Sequence, residues 1–211
     1  MKITCLKYAD SIFGENYIFK GGSKDRLLPI TFCFYLIEYA DKKILVDTGC
    51  NECVGFAFEN FIEPATLLEN YGLSFQDITD VIITHGHHDH IALISRYKNA
   101  TIHIQKDEYR STKDFIPDEF SINLFDEEYL LYDKLLIKKI GGHTKGSCIV
   151  VANNYVLCGD ECYYEKSLTH NIVIGSIFDE ENNKLFLEEY SSEKYIPLFF
   201  HAPNLKTMTL V

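Results

Sequence analysis

Thr84-His85-Gly86-His87-His88-Asp89-His90 packs four histidines and an aspartate into six consecutive residues, directly after the apolar run Val81-Ile82-Ile83. The run is short and β-branched, which reads as a buried strand. A strand end that delivers imidazoles and a carboxylate into one loop is a metal-site candidate, because both ligand types suit zinc and other divalent transition metals. His85 and His87 lie two apart, so an extended backbone puts both rings on one side. The pattern is HxHxDH. A His-rich polar loop is the plain alternative, but the chain holds only eight His and four fall here.

Working outward, 211 residues suffice for one domain with a large core, and the expectation is a single domain over 1–211. Hydrophobic residues make up 46% and charged residues 24%, an ordinary globular balance. The formal net charge of −11 argues against a nucleic-acid partner. No secretory signal and no transmembrane run is read from the sequence. Seven Cys, an odd number, suit reduced thiols in a cytoplasm. The expected partner is a small-molecule substrate, with neither nucleic acid nor membrane; the oligomeric state is left open.

In chain order, residues 1–9 alternate as a first strand. Residues 10–29 are polar and contain Gly21-Gly22, and read as a long loop placed to act as a flap. Residues 30–39 and 43–46 form a hairpin that runs into Asp47-Thr48-Gly49. Pro64 opens a helix that lasts until Gly72. Residues 91–97 read as helical, 101–105 as a strand and 106–112 as a charged helix. Residues 130–140 read as one strand running into Gly141-Gly142-His143-Thr144-Lys145-Gly146-Ser147. A hairpin around Asn153-Asn154 runs into Cys158-Gly159-Asp160. Residues 180–194 read as a helix and 196–200 as a last strand ending at His201.

Five strand-like segments therefore end in Asp47, His85, His143, Asp160 and His201, where a rigid sheet can present ligands from one edge. HxHxDH at 85–90, GHTxGS at 142–147, GD at 159–160 and the late His201 resemble the metallo-β-lactamase superfamily, in that family's order. The resemblance implies an α/β fold, a four-layer αββα sandwich of two mixed sheets with outer helices. It also implies two divalent metal ions per chain, with zinc favoured and manganese, iron or cobalt as alternatives. One ion would take His85, His87 and His143, and the other Asp89, His90 and His201. Asp160 and a hydroxide would bridge them, and Asp47 would fix a ligand imidazole from behind. Ile91-Ala92, Lys145 and Phe200 depart from the family's usual residues without removing a ligand.

The implied activity is hydrolysis by metal-activated hydroxide, with Asp89 orienting the nucleophile and shuttling its proton. Tyr163, three residues after Asp160, sits where N-acyl homoserine lactonases of this superfamily carry a Tyr beside the metals. It is the candidate donor to a tetrahedral oxyanion; packing is the alternative. A small ester-like substrate is expected, a lactone favoured. Thioester hydrolysis of the glyoxalase II kind and phosphodiester hydrolysis are the alternatives. A di-iron redox protein is the rival of a different class, but such enzymes carry Glu where this chain has His87. Cys50 and Cys53 read as incidental thiols, His103 as the polar outer face of a strand, His170 and Lys145 as solvated, and Asp126-Glu127-Glu128 as charged surface.

Overall fold

The computed structural model describes residues 1–210; Val211, the last residue of the expected domain, lies outside them. The chain opens with β1 (Lys2–Gly14), a helical turn α1 (Glu15–Ile18) and β2 (Leu27–Tyr39), then β3 (Lys42–Val46) and α2 (Pro64–Glu69). Next come β4 (Asp80–Ile83), α3 (His88–Ile91), β5 (Thr101–Gln105), α4 (Lys106–Thr112) and β6 (Ser121–Phe125). The second half holds β7 (Glu128–Leu131), β8 (Leu135–Lys139), β9 (Cys148–Ala152), β10 (Tyr155–Leu157), α5 (Glu165–His170), α6 (Glu180–Tyr190), β11 (Ile196–Leu198) and β12 (Met208–Leu210).

These strands form two mixed sheets, β12-β1-β2-β3-β4-β5-β6 and β11-β10-β9-β8-β7. The period of two along each strand sorts side chains between layers. In β2, Tyr35 and Ile37 enter the apolar layer between the sheets, where they meet Ile137 of β8 and Val150 of β9. Phe34 and Leu36 face the other way and pack with Leu67 and Leu68 of α2 and Ile91 of α3. On the far side of the smaller sheet, Ile149 and Val156 pack with Leu168 of α5 and Phe186 and Leu187 of α6. Three apolar layers thus separate four structural layers, the αββα sandwich. Among the described residues no helix is long and apolar enough to cross a membrane.

Several segments differ from their sequence reading. Residues 10–29 are not a free loop: β1 and β2 stay paired through Ser11↔Ile30, Phe13↔Leu28 and Gly14↔Leu27. One face of this hairpin is solvated, so its composition reads as loop while its backbone remains ladder. Residues 130–140 make two strands, because Tyr132 and Asp133 both take φ 53° and turn the chain back. A turn without Asn-Gly or Asp-Gly has no composition signal. Residues 91–97 hold only the end of α3 and a 3₁₀ turn at Ile94–Arg96.

His103 is the clearest reversal. It is 3% exposed, and its Nε2 lies 2.8 Å from Asp80 Oδ1. Its neighbours Ile102 and Ile104 belong to the helix-side core, so period two sends His103 inward between the sheets. Burial opposes the charge on Asp80, but hydrogen bonds from His103, Thr79 and Tyr132 outweigh it and hold the carboxyl below its usual range. Replacing His103 by Leu leaves Asp80 Oδ1 without its partner. We expect a loss of about 2–3 kcal/mol in urea unfolding, with metal binding unchanged. A variant as stable as the parent would show the pair to be dispensable.

Candidate metal centre

Each loop that carries a candidate ligand leaves a strand at the same edge. Asp47 follows β3 with φ 64°, a strained conformation for a residue with a Cβ. Three hydrogen bonds hold it there. Its Oδ1 accepts from Thr84 N at 2.8 Å; its Oδ2 accepts from Thr84 Oγ1 at 2.8 Å and stands 2.7 Å from His90 Nδ1. After β10, Gly159 takes φ 52° and aims Asp160 into the same space. A Cβ at Gly159 would lie 3.1 Å from the Cys148 carbonyl and 3.2 Å from Thr84 Cβ, a tight fit on top of a positive φ that disfavours any side chain.

Hydrogen-bond partners decide the histidine tautomers. The Nδ1 of His143 lies 2.7 Å from the Ser176 carbonyl, and that of His201 lies 2.8 Å from the Thr31 carbonyl. A carbonyl only accepts, so each Nδ1 carries the proton and each Nε2 is free to ligate. Thr84 Oγ1 spends its proton on Asp47 and accepts from His85 Nδ1 at 3.2 Å, which frees Nε2 there as well.

The free donors converge in two groups. His85, His87, His143 and Asp160 form one, and Asp89, His90 and His201 the other, with donor atoms within 4.8 Å of one another in each. Two donors each ~2.1 Å from a tetrahedral ion stand roughly 3.4 Å apart. In the first group His87 Nδ1 lies 3.0 Å from His85 Nε2 and 2.9 Å from His143 Nε2; Asp160 Oδ2 lies 3.7 and 3.5 Å from the same two nitrogens. In the second, His90 and His201 Nε2 are 3.2 Å apart and lie 3.4 and 3.3 Å from Asp89 Oδ2. Asp160 Oδ1 lies 3.2 Å from both, is buried, and has no hydrogen-bond partner. A carboxylate with one oxygen toward each group and one oxygen unsatisfied fits a pair of divalent cations.

Electrostatics separate the two groups. Burial, and then the charge of His90, push His85 well below its ordinary value, and burial brings His143 down to about 4. Burial also opposes charge on His90 and His201, but Asp160 and Asp89 outweigh it. His90 is held well above its ordinary value and His201 at about 10. The same pairing overcomes burial at Asp89 and Asp160 and holds both carboxyls well below their usual range.

The centre opens on a cavity of about 240 Å³ with Phe13, Ile30, Phe32 and Phe56 on its apolar walls. Tyr163 lines it, donating its O–H to Asp160 Oδ2 at 3.0 Å. Lys145 is not there: its Nζ pairs with Asp107 at 3.1 Å on the surface. His170 and Asp126-Glu127-Glu128 are exposed.

Two buried carboxylates went unread in the sequence. Glu108 of α4 accepts from Gly86 N at 2.8 Å, Thr144 Oγ1 at 2.5 Å and Gly146 N at 2.9 Å, which ties the His85 loop to the His143 loop. Glu161 accepts from the backbone of Gly142 and His143 at 3.1 Å each and from Asn183 at 3.0 Å. Glu161 could have been suspected from its place beside Asp160; Glu108 sits in a charged helix that reads as surface.

An αββα sandwich with paired His/Asp groups at one edge is the scaffold of a metal-centred protein. The chain belongs to the metallo-beta-lactamase superfamily, whose family model matches residues 34–161. A probable metallo-hydrolase of Methanocaldococcus jannaschii is 36% identical over 117 residues, covering 56% of this chain and 50% of that protein. The N-acyl homoserine lactonase AiiB of Agrobacterium fabrum is 28% identical over 132 residues, covering 51% of this chain and 48% of that protein. The chain thus matches about half the length of these curated relatives. Among solved structures, an N-acyl homoserine lactone hydrolase with N-hexanoyl-L-homoserine bound at its catalytic metal centre has a TM-score of 0.82 at 21% identity, over 95% of this chain and 93% of that one. The dizinc quorum-quenching lactonase AidC has a TM-score of 0.75 at 18% identity, over 96% and 87%. These structural likenesses are likenesses of fold.

Metal uptake should release protons. In protein stripped with a chelator, His201 titrates near 10 and is charged at pH 8, whereas a ligand imidazole must be neutral. Zinc added back therefore expels protons, and its affinity rises with pH up to about 10. The same proton stabilises the stripped fold fully below the ordinary 6.5, and that contribution fades as pH climbs toward 10. Asp89 and Asp160 contribute above the ordinary 3.8 and lose their contribution as pH falls below it. Calorimetric titration at pH 8 in two buffers of different protonation enthalpy counts the protons; zero release would contradict this charge pattern.

Proposed function

We propose that this protein is a metal-dependent hydrolase of small ester-like substrates, lactones favoured, working in a reducing cytoplasm that its seven thiols suit. One observation carries the reading: Asp160 turns one oxygen to each of two donor groups at the floor of an apolar cavity that Tyr163 lines. His85, His87, His143 and Asp160 would hold one cation, and Asp89, His90, His201 and Asp160 the second. Two divalent cations there supply Lewis acidity and a water of lowered pKa; zinc suits the imidazole-rich donor set.

The chain's own residues do the rest. Asp47, Ser176 and Thr31 keep His90, His143 and His201 in the ligating tautomer. Asp89, held as a carboxylate, orients the attacking water and takes its proton. The walls from Phe13 to Phe56 exclude water and accept an apolar substituent, which suits a neutral carbonyl ester better than a phosphodiester. Burial, and then Asp160, push the Tyr163 phenol well above its ordinary value, so it remains a donor. Reaching a substrate oxygen requires its O–H to turn from Asp160. A donor that strengthens as the carbonyl oxygen gains charge lowers the barrier.

Elemental analysis after dialysis should find two metal ions per chain, mostly zinc; a folded, active sample with almost none would end the proposal. Metal and activity should fall together from pH 8 to 5, as protons compete for the imidazoles. In a panel of substrates, lactones should outrun phosphodiesters and thioesters in kcat/KM. A bis-nitrophenyl phosphate that outruns every lactone and ester would move the assignment to phosphodiester hydrolysis. Tyr163→Phe should lower kcat roughly tenfold to a hundredfold with KM and metal content little changed. Tyr164→Phe, which loses only a bond to the Pro29 carbonyl, should change kcat by less than about threefold. A Tyr163→Phe variant equal to the parent would make Tyr163 a packing residue.

A further inference from the structure

Six of the seven cysteines are buried, and Cys53 is the exception among the described residues. Cys53 lines the metal-centre cavity alongside Phe56 and His201, and also an adjoining cavity of about 420 Å³ bounded by Val54 and Phe61. It belongs to neither donor group. Three residues earlier, Cys50 is fully buried. Its Sγ lies 3.5 Å from the Tyr8 hydroxyl, which also donates to the Asp89 carbonyl at 3.3 Å. The motif Cys50-Asn51-Glu52-Cys53 thus places one thiol on the cavity wall and anchors the other behind the metal centre.

We propose that Cys53, with Cys50 as its resolving partner, is a thiol modification site in the wall of the metal-centre cavity, taking peroxides and other soft electrophiles. The Cys53 thiolate attacks one peroxide oxygen, the O–O bond breaks, and Cys53 becomes a sulfenic acid as hydroxide leaves. The Cys50 sulfur then attacks the Cys53 sulfur, the S–O bond breaks, and a Cys50–Cys53 disulfide forms as water leaves. Two thiols are oxidised to one disulfide, one peroxide is reduced to two waters, and a dithiol reverses the change. Cys53 reaches the cavity, whereas Cys50 is shut in behind it. This is the polarity of an attacking and a resolving thiol.

The chemistry stands without any substrate; only its effect on turnover rests on the hydrolase reading. An alkyl group on Cys53 narrows the cavity, and a disulfide draws that wall toward Cys50. Both leave the metal donors in place.

The metal-loaded protein is tested first with limiting iodoacetamide and peptide mass mapping. Cys53 should label at least roughly tenfold faster than any other cysteine. One equivalent of hydrogen peroxide should lower the free thiol count from seven to five, with the new disulfide mapped to Cys50 and Cys53 and reversed by dithiothreitol. Cys50→Ser should stop at a dimedone-trappable sulfenic acid on Cys53, and metal content should not change. Labelling spread evenly over the cysteines, or a folded protein in which Cys53 resists both reagents, overturns the proposal. A sample that labels at Cys53 yet holds no metal refutes the hydrolase reading and leaves this site standing. A metal-loaded lactonase inert at Cys53 does the reverse.

Discussion

A carboxylate buried among imidazoles is the constraint that the rest of this molecule answers. Asp160 is 5% exposed, and one of its oxygens has no hydrogen-bond donor. An uncompensated buried charge costs several kcal/mol, so the fold must surround it with cationic or metal-holding partners. It does so from both sheets at once. The strained backbone at Asp47, a cost of about 1–3 kcal/mol, is offset by the three bonds that fix Thr84 and His90 opposite Asp160. Glycine at 159 lets the chain turn where any side chain would meet Thr84.

Much of this was readable in the residue order. The candidate ligands cluster at strand ends, and strands of this kind announce themselves by apolar β-branched runs. His85, His143, Asp160 and His201 each stand at the end of such a run. Three of the differences share a cause, polarity that reads as exposure, whereas the turn at Tyr132-Asp133 carries no composition signal. Residues 10–29 look like loop because one face of the hairpin is wet. His103 looks like surface because it alternates with isoleucines, yet the strand is covered on both faces. Glu108 lies in Lys106–Thr112, whose charges describe a solvated helix, and only the tertiary fold shows two ligand loops converging on its carboxylate.

Tyr163 illustrates the limit of spacing arguments. Position three after Asp160 brings the phenol to the cavity, and its ring lies 6.2 Å from that of His143 and 5.7 Å from that of His201. Spacing says nothing of where the proton points, and here it points at Asp160. The same hydroxyl thus braces the Asp160 carboxylate while lining the cavity.

The donor groups also straddle the layer between the sheets. His85, His87, Asp89 and His90 follow β4 of the larger sheet, whereas His143, Asp160 and His201 follow strands of the smaller one. A backbone bond from Cys148 N to the Thr84 carbonyl, 2.8 Å long, spans the same gap. An ion in either group would therefore add a cross-link between two sheets that apolar contacts and a few hydrogen bonds, such as that from the Tyr35 hydroxyl to the Phe199 carbonyl at 2.6 Å, already join. Sheets tied this way would part only when the tie is released, and the rate of unfolding would then follow the rate of metal departure. Losing the metal and losing the fold would then be one kinetic event, seen from the site or from the core.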